Sequence, residues 1–192
     1  MNFCLWITGL PGSGKSTILK ELTPMLAAAG IHPVVLSLDH LRPIITPDPA
    51  YSEQERDIVY RALAVMAQLL VAEGRRHVII DATANRRAYR DLARRLIADF
   101  AEIHIHCPVA TCQAREAARQ GQPVEKDLYQ RAAAGTLAGR MPGVTAVYEA
   151  PEAPELRLPS DRLSPRQAAE RIMAYLGSRW PAHCLRRQQS SR

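Results

Sequence analysis

Eight consecutive residues, Gly9-Leu10-Pro11-Gly12-Ser13-Gly14-Lys15-Ser16, constrain this 192-residue chain more than any other feature in it. They fit G-x-x-x-x-G-K-[ST] without a mismatch, between an apolar run at 3–8 (FCLWIT) that reads as a strand and a helical pattern over 15–29 ended by Gly30. That setting is the one a phosphate-binding loop requires. Glycines let the backbone curl so that successive N–H groups face phosphate oxygens, and the following helix adds its positive end. Lys15 then reaches the β- and γ-phosphates and Ser16 offers its hydroxyl to Mg2+, with Gly9, Pro11, Gly12, Ser13, Gly14 and Thr17 completing the ATP-binding set.

The rest of the chain continues the alternation. Strands are predicted at 33–38 (PVVLSL), 77–81 (HVIID) and 102–107 (EIHIHC). Helices are predicted over 52–73, with Ile58, Ala62, Val65, Met66, Leu69 and Leu70 at helical spacing and Gly74 as the stop, and over 86–99, with Leu92, Ala93, Leu96 and Ile97 on the apolar side. A short helix at about 110–119 follows, and Ser164-Pro165 opens a last one with Ala168, Ile172, Met173 and Leu176 as its stripe and Gly177 as its stop. This order predicts an α/β fold of the P-loop NTPase, adenylate-kinase-like kind: a three-layer sandwich with a central parallel sheet, helices on both faces and a lid. A single domain is expected over 1–178, with the Gly-, Pro- and charge-rich stretch at about 120–145 as the lid and a basic tail at 179–192.

Composition removes other classes. No apolar run approaches the 18–20 residues of a membrane span, and 3–8 is too short for a signal peptide, so a soluble, cytoplasmic protein is expected. The four cysteines form neither a disulfide framework nor a zinc pattern, and Cys4 and Cys107 read as buried thiols. His104 and His106 share one strand face and read as structural. The net charge of +6 points to an anionic ligand, and 22 of the 25 cations are arginines, suited to bidentate contacts with phosphate or carboxylate.

No Asn-Lys-x-Asp guanine motif is present, which favours ATP. Asp39, at the end of the second predicted strand, stands where open α/β sheets bind ligand, and it suits a carboxylate that accepts a hydroxyl proton or holds a metal-bound water. Asp81 ends an apolar run in the Walker B manner. It either orients Mg2+ through water or serves as a turn residue.

From Trp6 to Pro159 the order of motifs resembles the adenylylsulfate kinases, P-loop enzymes that phosphorylate the 3′-hydroxyl of adenosine 5′-phosphosulfate with MgATP. The resemblance is carried by WITGLPGSGKST at 6–17, AYSEQER at 50–56 and Cys-Pro-x-x-x-Cys-x-x-Arg at 107–115. KDLY at 126–129, AGTLAG at 134–139 and the exit sequence from Tyr148 to Leu156 extend it. It implies that Asp39 is catalytic, that Arg42, Tyr51 and Arg56 bind the anionic nucleotide together with Thr83, that Arg115 lies near the ATP adenine, and that Lys126 of the lid approaches the phosphates. It also implies a homodimer.

Departures from the family pattern bear on the acceptor. Ser37 replaces the first aspartate of Asp-Gly-Asp-Asn-Ile-Arg, Val59 an asparagine, and 82–87 (ATANRR) the stretch Phe-Ile-Ser-Pro-Phe-Arg. Gly139-Arg140-Met141-Pro142-Gly143 replaces Gly-Phe-Thr-Gly, so Arg140 would stack on the base in place of Phe, and Ala117 to Glu125 holds an insertion. The first reading is therefore an adenylylsulfate kinase. A kinase of another activated nucleotide, such as a cytidine diphosphate derivative, or of a sugar is the second. A nucleotide- or nucleic-acid-binding protein without turnover is the third, disfavoured because the cations lack the aromatic interleaving of a strand-binding groove.

Overall fold

The first strand explains how the sheet is buried. In the computed structural model, which describes residues 2–118, 134, 143 and 145–181, β1 (Cys4–Thr8) is buried at every position. Leu5 and Ile7 enter one apolar cluster with Phe3, while Cys4 and Trp6 enter another on the opposite face. A strand covered on both sides has no polar alternation, which is why FCLWIT is a continuous apolar run.

Five strands run parallel in the order β2-β3-β1-β4-β5, with β2 at Val34–Ser37, β3 at Val78–Asp81, β4 at Phe100–His106 and β5 at Leu156–Pro159. Helix α1 (Lys15–Ala28) packs with the last helix, α6 (Pro165–Arg179), over one face, through Ile18, Leu22, Leu26, Ile172 and Leu176. The other face carries α3 (Glu53–Ala72) and α4 (Arg87–Leu96), through Val59, Leu63, Ala67, Tyr89 and Ala93. The short helices α2 (Leu38–Ile45) and α5 (Val109–Ala117) follow β2 and β4. The expected three-layer sandwich is therefore present, and each strand from β1 to β4 delivers its C-terminal end to the same edge of the sheet.

Several expectations change. The sheet has a fifth strand, β5, that the alternation did not reveal. Asp39 does not end a strand: it lies in the first turn of α2, which begins directly after Ser37. On α3 the buried face is Val59, Tyr60, Leu63, Ala64 and Ala67, whereas Ile58, Val65 and Leu69 of the expected stripe are exposed. Helix α6 passes Gly177 to reach Arg179, and Trp180 beyond it is buried, stacked on Phe3 at 4.8 Å. The physical reason is packing: Leu176 and Trp180 are both buried in the cluster that holds Phe3, and their burial carries the helix past the glycine. Cys4 and Cys107 are buried, as expected, and Cys112 is buried with them.

Candidate active site

The loop from Gly9 to Gly14 is shaped by what it presses against. A Cβ on Gly9 would lie 2.5 Å from the Ile105 carbonyl oxygen, and one on Gly12, at φ 77, would lie 2.4 Å from that of Cys112. Both glycines are thus required by close backbone approach to β4 and α5 as well as by the curl of the loop. Lys15 sits at the start of α1, and its ammonium donates to the carbonyls of Gly9 (2.9 Å) and Leu10 (3.1 Å). Ser16 Oγ donates to Asp81 Oδ2 at 3.1 Å, which brings the loop hydroxyl and the end of β3 into one group. Thr17 is exposed on the following turn.

Burial pushes the Asp81 carboxyl above the usual carboxylate range, against the pull of Lys15 and of the Ser16 hydrogen bond, and the negative charge of Asp39 pushes the same way. Asp39, though exposed, is therefore near enough for its charge to act on Asp81. A hydroxyl and two carboxylates at the edge of a phosphate-binding loop are hard oxygen donors, a set that fits Mg2+ held jointly with substrate phosphates.

Arg115, on α5, closes the β4 side. Its guanidinium donates to Ser160 Oγ (3.2 Å) and to the Ser160 carbonyl (2.8 Å), and Ser160 Oγ donates to the Ser13 carbonyl at 2.7 Å. Ser160 is buried just past β5, so an undetected strand delivers the group that ties Arg115 to the phosphate loop. Nothing in the local sequence marks this serine.

The β2–β3 side holds the other predicted residues. The Arg42 guanidinium, on α2, lies 5.3 Å over the Tyr51 ring and pairs with Glu55 at 3.1 Å. Arg56 Nε donates to the Tyr51 carbonyl at 3.2 Å. Burial lowers the Arg56 pKa, and Arg42 lowers it further as a neighbouring cation. Arg42, Tyr51 and Arg56, spread over fifteen sequence positions, thus form one cluster. Thr83 contributes a carbonyl that accepts from Thr8 Oγ1 at 2.6 Å, and Thr8 Oγ1 also meets the Tyr148 hydroxyl at 3.0 Å. Val59 is fully buried in the core, so the departure from asparagine there is absorbed by packing. Arg86, another departure, pairs with Glu53 at 2.8 Å and joins the N-terminal ends of α3 and α4.

Arg90, on α4, is 1% exposed. Its guanidinium bonds Glu102 and the carbonyls of Ala84, Arg86 and Glu149, fixing the 82–86 turn against the 147–149 segment. A cavity of about 590 Å3 opens on the β4 side, lined by Leu10, His104, His106, Cys107 and Tyr148 among others, and it includes none of Arg42, Tyr51 and Arg56. Burial, with the charges of His106, Arg157 and Arg90, holds His104 neutral by lowering its pKa to about 4. Among the described residues no group of three or more His, Cys, Asp or Glu side chains is placed to hold a metal. Lys126 and Arg140 lie outside the described residues, as do most of the expected lid and residues 182–192 of the tail.

The profile of the adenylylsulphate kinase family matches residues 1–159. The chain belongs to that family. The adenylyl-sulfate kinase of a Picosynechococcus species is 34% identical over 172 residues, covering 90% of this chain and 92% of the relative. A probable adenylyl-sulfate kinase of Halalkalibacterium halodurans is 34% identical over 177 residues, covering 90% of this chain and 81% of the relative. Among solved structures, the Mycobacterium tuberculosis adenylylsulfate kinase CysC in complex with AMPPNP and APS superposes with a TM-score of 0.77 at 31% identity, over 91% of this chain and 97% of that one. As a member of the family the protein is a kinase, a phosphotransferase on a P-loop scaffold. No helix among the described residues is long and apolar enough to cross a membrane.

Proposed function

We infer that the protein is an adenylyl-sulfate kinase that transfers the γ-phosphoryl group of ATP to the 3′-hydroxyl of adenosine 5′-phosphosulfate. The observation that carries the reading is the separation of two clusters at one sheet edge, in a chain of this family. The phosphate loop with Lys15, Ser16 and Arg115 stands on one side, with Asp81 bonded to Ser16, and Arg42, Tyr51 and Arg56 stand on the other, with Asp39 on the helix that carries Arg42. ATP takes the first cluster and the anionic acceptor the second.

In this reading Lys15 and the loop N–H groups hold the β- and γ-phosphates. Arg42 and Arg56 hold the phosphosulfate, and Tyr51 stacks on the acceptor base, an interaction worth about 1–3 kcal/mol at comparable sites. Asp39 accepts the proton of the 3′-hydroxyl as its oxygen bonds the γ-phosphorus and the bond to the β–γ bridging oxygen breaks, releasing ADP. Ser16, Asp81 and Asp39 would hold Mg2+, whose chemistry when bound is neutralisation of the phosphate charge. Lys126 is assigned to the phosphates and Arg140 to the acceptor base, and the product is activated sulfate for assimilation in the cytoplasm. Positioning and charge complementarity supply most of the rate, since phosphoryl transfer needs little covalent help from the protein.

The test is ADP release from MgATP with adenosine 5′-phosphosulfate, CMP- and CDP-type nucleotides and no acceptor, run in parallel with the product identified by mass. Turnover with adenosine 5′-phosphosulfate and a 3′-phosphorylated product is expected. Turnover confined to another acceptor would overturn the reading.

A further inference from the structure

The acceptor-side cluster is organised around one carboxylate that none of its assigned roles includes. Glu55 is the third residue of α3, and its side chain is 14% exposed. Its Oε1 accepts from Arg42 Nη1 at 3.1 Å, while Oε2 accepts from the backbone N–H groups of Ala50 (2.6 Å) and Tyr51 (2.9 Å). Its own N–H donates to Ser52 Oγ at 3.1 Å, the first half of a capping box. In a complete capping box the third-position carboxylate returns to the N-cap N–H. Here it reaches one and two residues further back, to the segment that carries the Tyr51 ring.

That segment needs holding. Tyr51 has φ 51, in the left-handed region that a bulky side chain disfavours, so its backbone persists only where the surroundings over-determine it. Glu55 supplies one constraint through the Tyr51 N–H, and Arg56 supplies another through the Tyr51 carbonyl. Arg42 lies over the ring on one side and on Glu55 on the other. Two cations and an aromatic face are thus gathered around one anion, which offsets the repulsion between Arg42 and Arg56 before any ligand arrives.

We propose that Glu55 is a positioning residue for the acceptor: its carboxylate holds Arg42 and the Tyr51 ring in receiving geometry in the free enzyme, so that acceptor binding does not have to order them. This rests on the reading that Arg42, Tyr51 and Arg56 take the acceptor. Glu55 acts through those groups, and preorganisation of this kind appears in affinity for the ligand it serves.

The experiment is steady-state kinetics of the full chain with ATP and adenosine 5′-phosphosulfate, comparing Glu55→Ala, Glu55→Gln and Glu55→Asp with Arg42→Ala and the Glu55→Ala/Arg42→Ala pair. Glu55→Ala is expected to raise the acceptor KM by about tenfold while the ATP KM stays within about twofold, and Glu55→Asp, which keeps the charge, to recover most of the loss. Because the residue works through Arg42, the double variant should be little worse than the worse single one. Should Glu55→Ala fail to fold, the isosteric Glu55→Gln carries the same expectation for the acceptor KM. A helix-capping role alone would lower Tm and leave the ratio of the two KM values unchanged. That result, with Arg42→Ala still raising the acceptor KM about tenfold, overturns the role of Glu55 and leaves the acceptor assignment standing. An acceptor KM unmoved by Arg42→Ala overturns the assignment, and the role of Glu55 with it.

Discussion

The two sides of the site, proposed above for the donor and for the acceptor, are built from different materials. On the donor side the backbone does most of the shaping: Gly9 and Gly12 are pressed against the Ile105 and Cys112 carbonyls, and Ser160 reaches the Ser13 carbonyl. The acceptor side is a web of side chains, in which Arg42, Glu55, Tyr51 and Arg56 hold one another between an eight-residue helix and the first turn of α3. Helix α2 contains Pro43, which removes a hydrogen-bond donor from an element already short. The triphosphate end of ATP presents the same oxygens to every kinase of this scaffold, so a fixed backbone cradle suffices for it. An acceptor differs from one kinase to the next, and side chains can be exchanged without rebuilding the sheet edge.

The sharpest test of that division is Lys15→Ala. Loss of the Lys15 ammonium from the phosphate cradle should lower kcat by about 10²–10³ or more, measured as ADP release, with an unchanged circular dichroism spectrum. A loss confined to the acceptor KM would erase the distinction between the two sides. Next in size is Arg90→Leu. Breaking a buried, hydrogen-bonded pair by removing one partner costs about 3–5 kcal/mol, here by taking from Glu102 its buried partner, with Arg94 at 3.4 Å left to it, and by stripping a donor from the Ala84 and Glu149 carbonyls. Denaturant unfolding should show this loss, and a stability change under about 1 kcal/mol would mean that the 82–86 turn and the 147–149 segment hold together without Arg90.

The smallest effect sharpens the donor side. Ser160→Ala removes the hydroxyl shared by Arg115 and Ser13 while the Ser160 carbonyl remains on Arg115, a loss of about 1 kcal/mol. The ATP KM should rise several-fold with the acceptor KM unmoved. An effect on the acceptor alone would place Ser160 in the other half of the site.

Legibility in the sequence followed the same division. The phosphate loop was readable because its residues are contiguous and its chemistry is local. Helix α2 was not, because Leu38–Ile45 follows β2 without a turn signal and carries a proline. Strand β5 is four residues (LRLP) paired, among the described residues, with β4, and a segment so short, with an arginine inside it, becomes a strand through pairing rather than propensity. Helix α3 displays two apolar stripes at helical spacing, and periodicity alone could not choose the one that meets the sheet.

By itself the sequence determined the chain's class: alternating strands and helices, a phosphate loop after the first strand, and the ordered motifs of the adenylylsulfate kinases. These follow from residue order along a covalent chain. Tertiary structure decided which groups meet: Ser160 with Ser13, 147 positions apart, Ser16 with Asp81, 65 apart, and Glu55 with Arg42, 13 apart. It also turned Val59 into the core and buried Arg90 among backbone carbonyls. Such pairings depend on the register of parallel strands and on which helix face packs against them, and a parallel sheet sets both through contacts between segments distant in the chain.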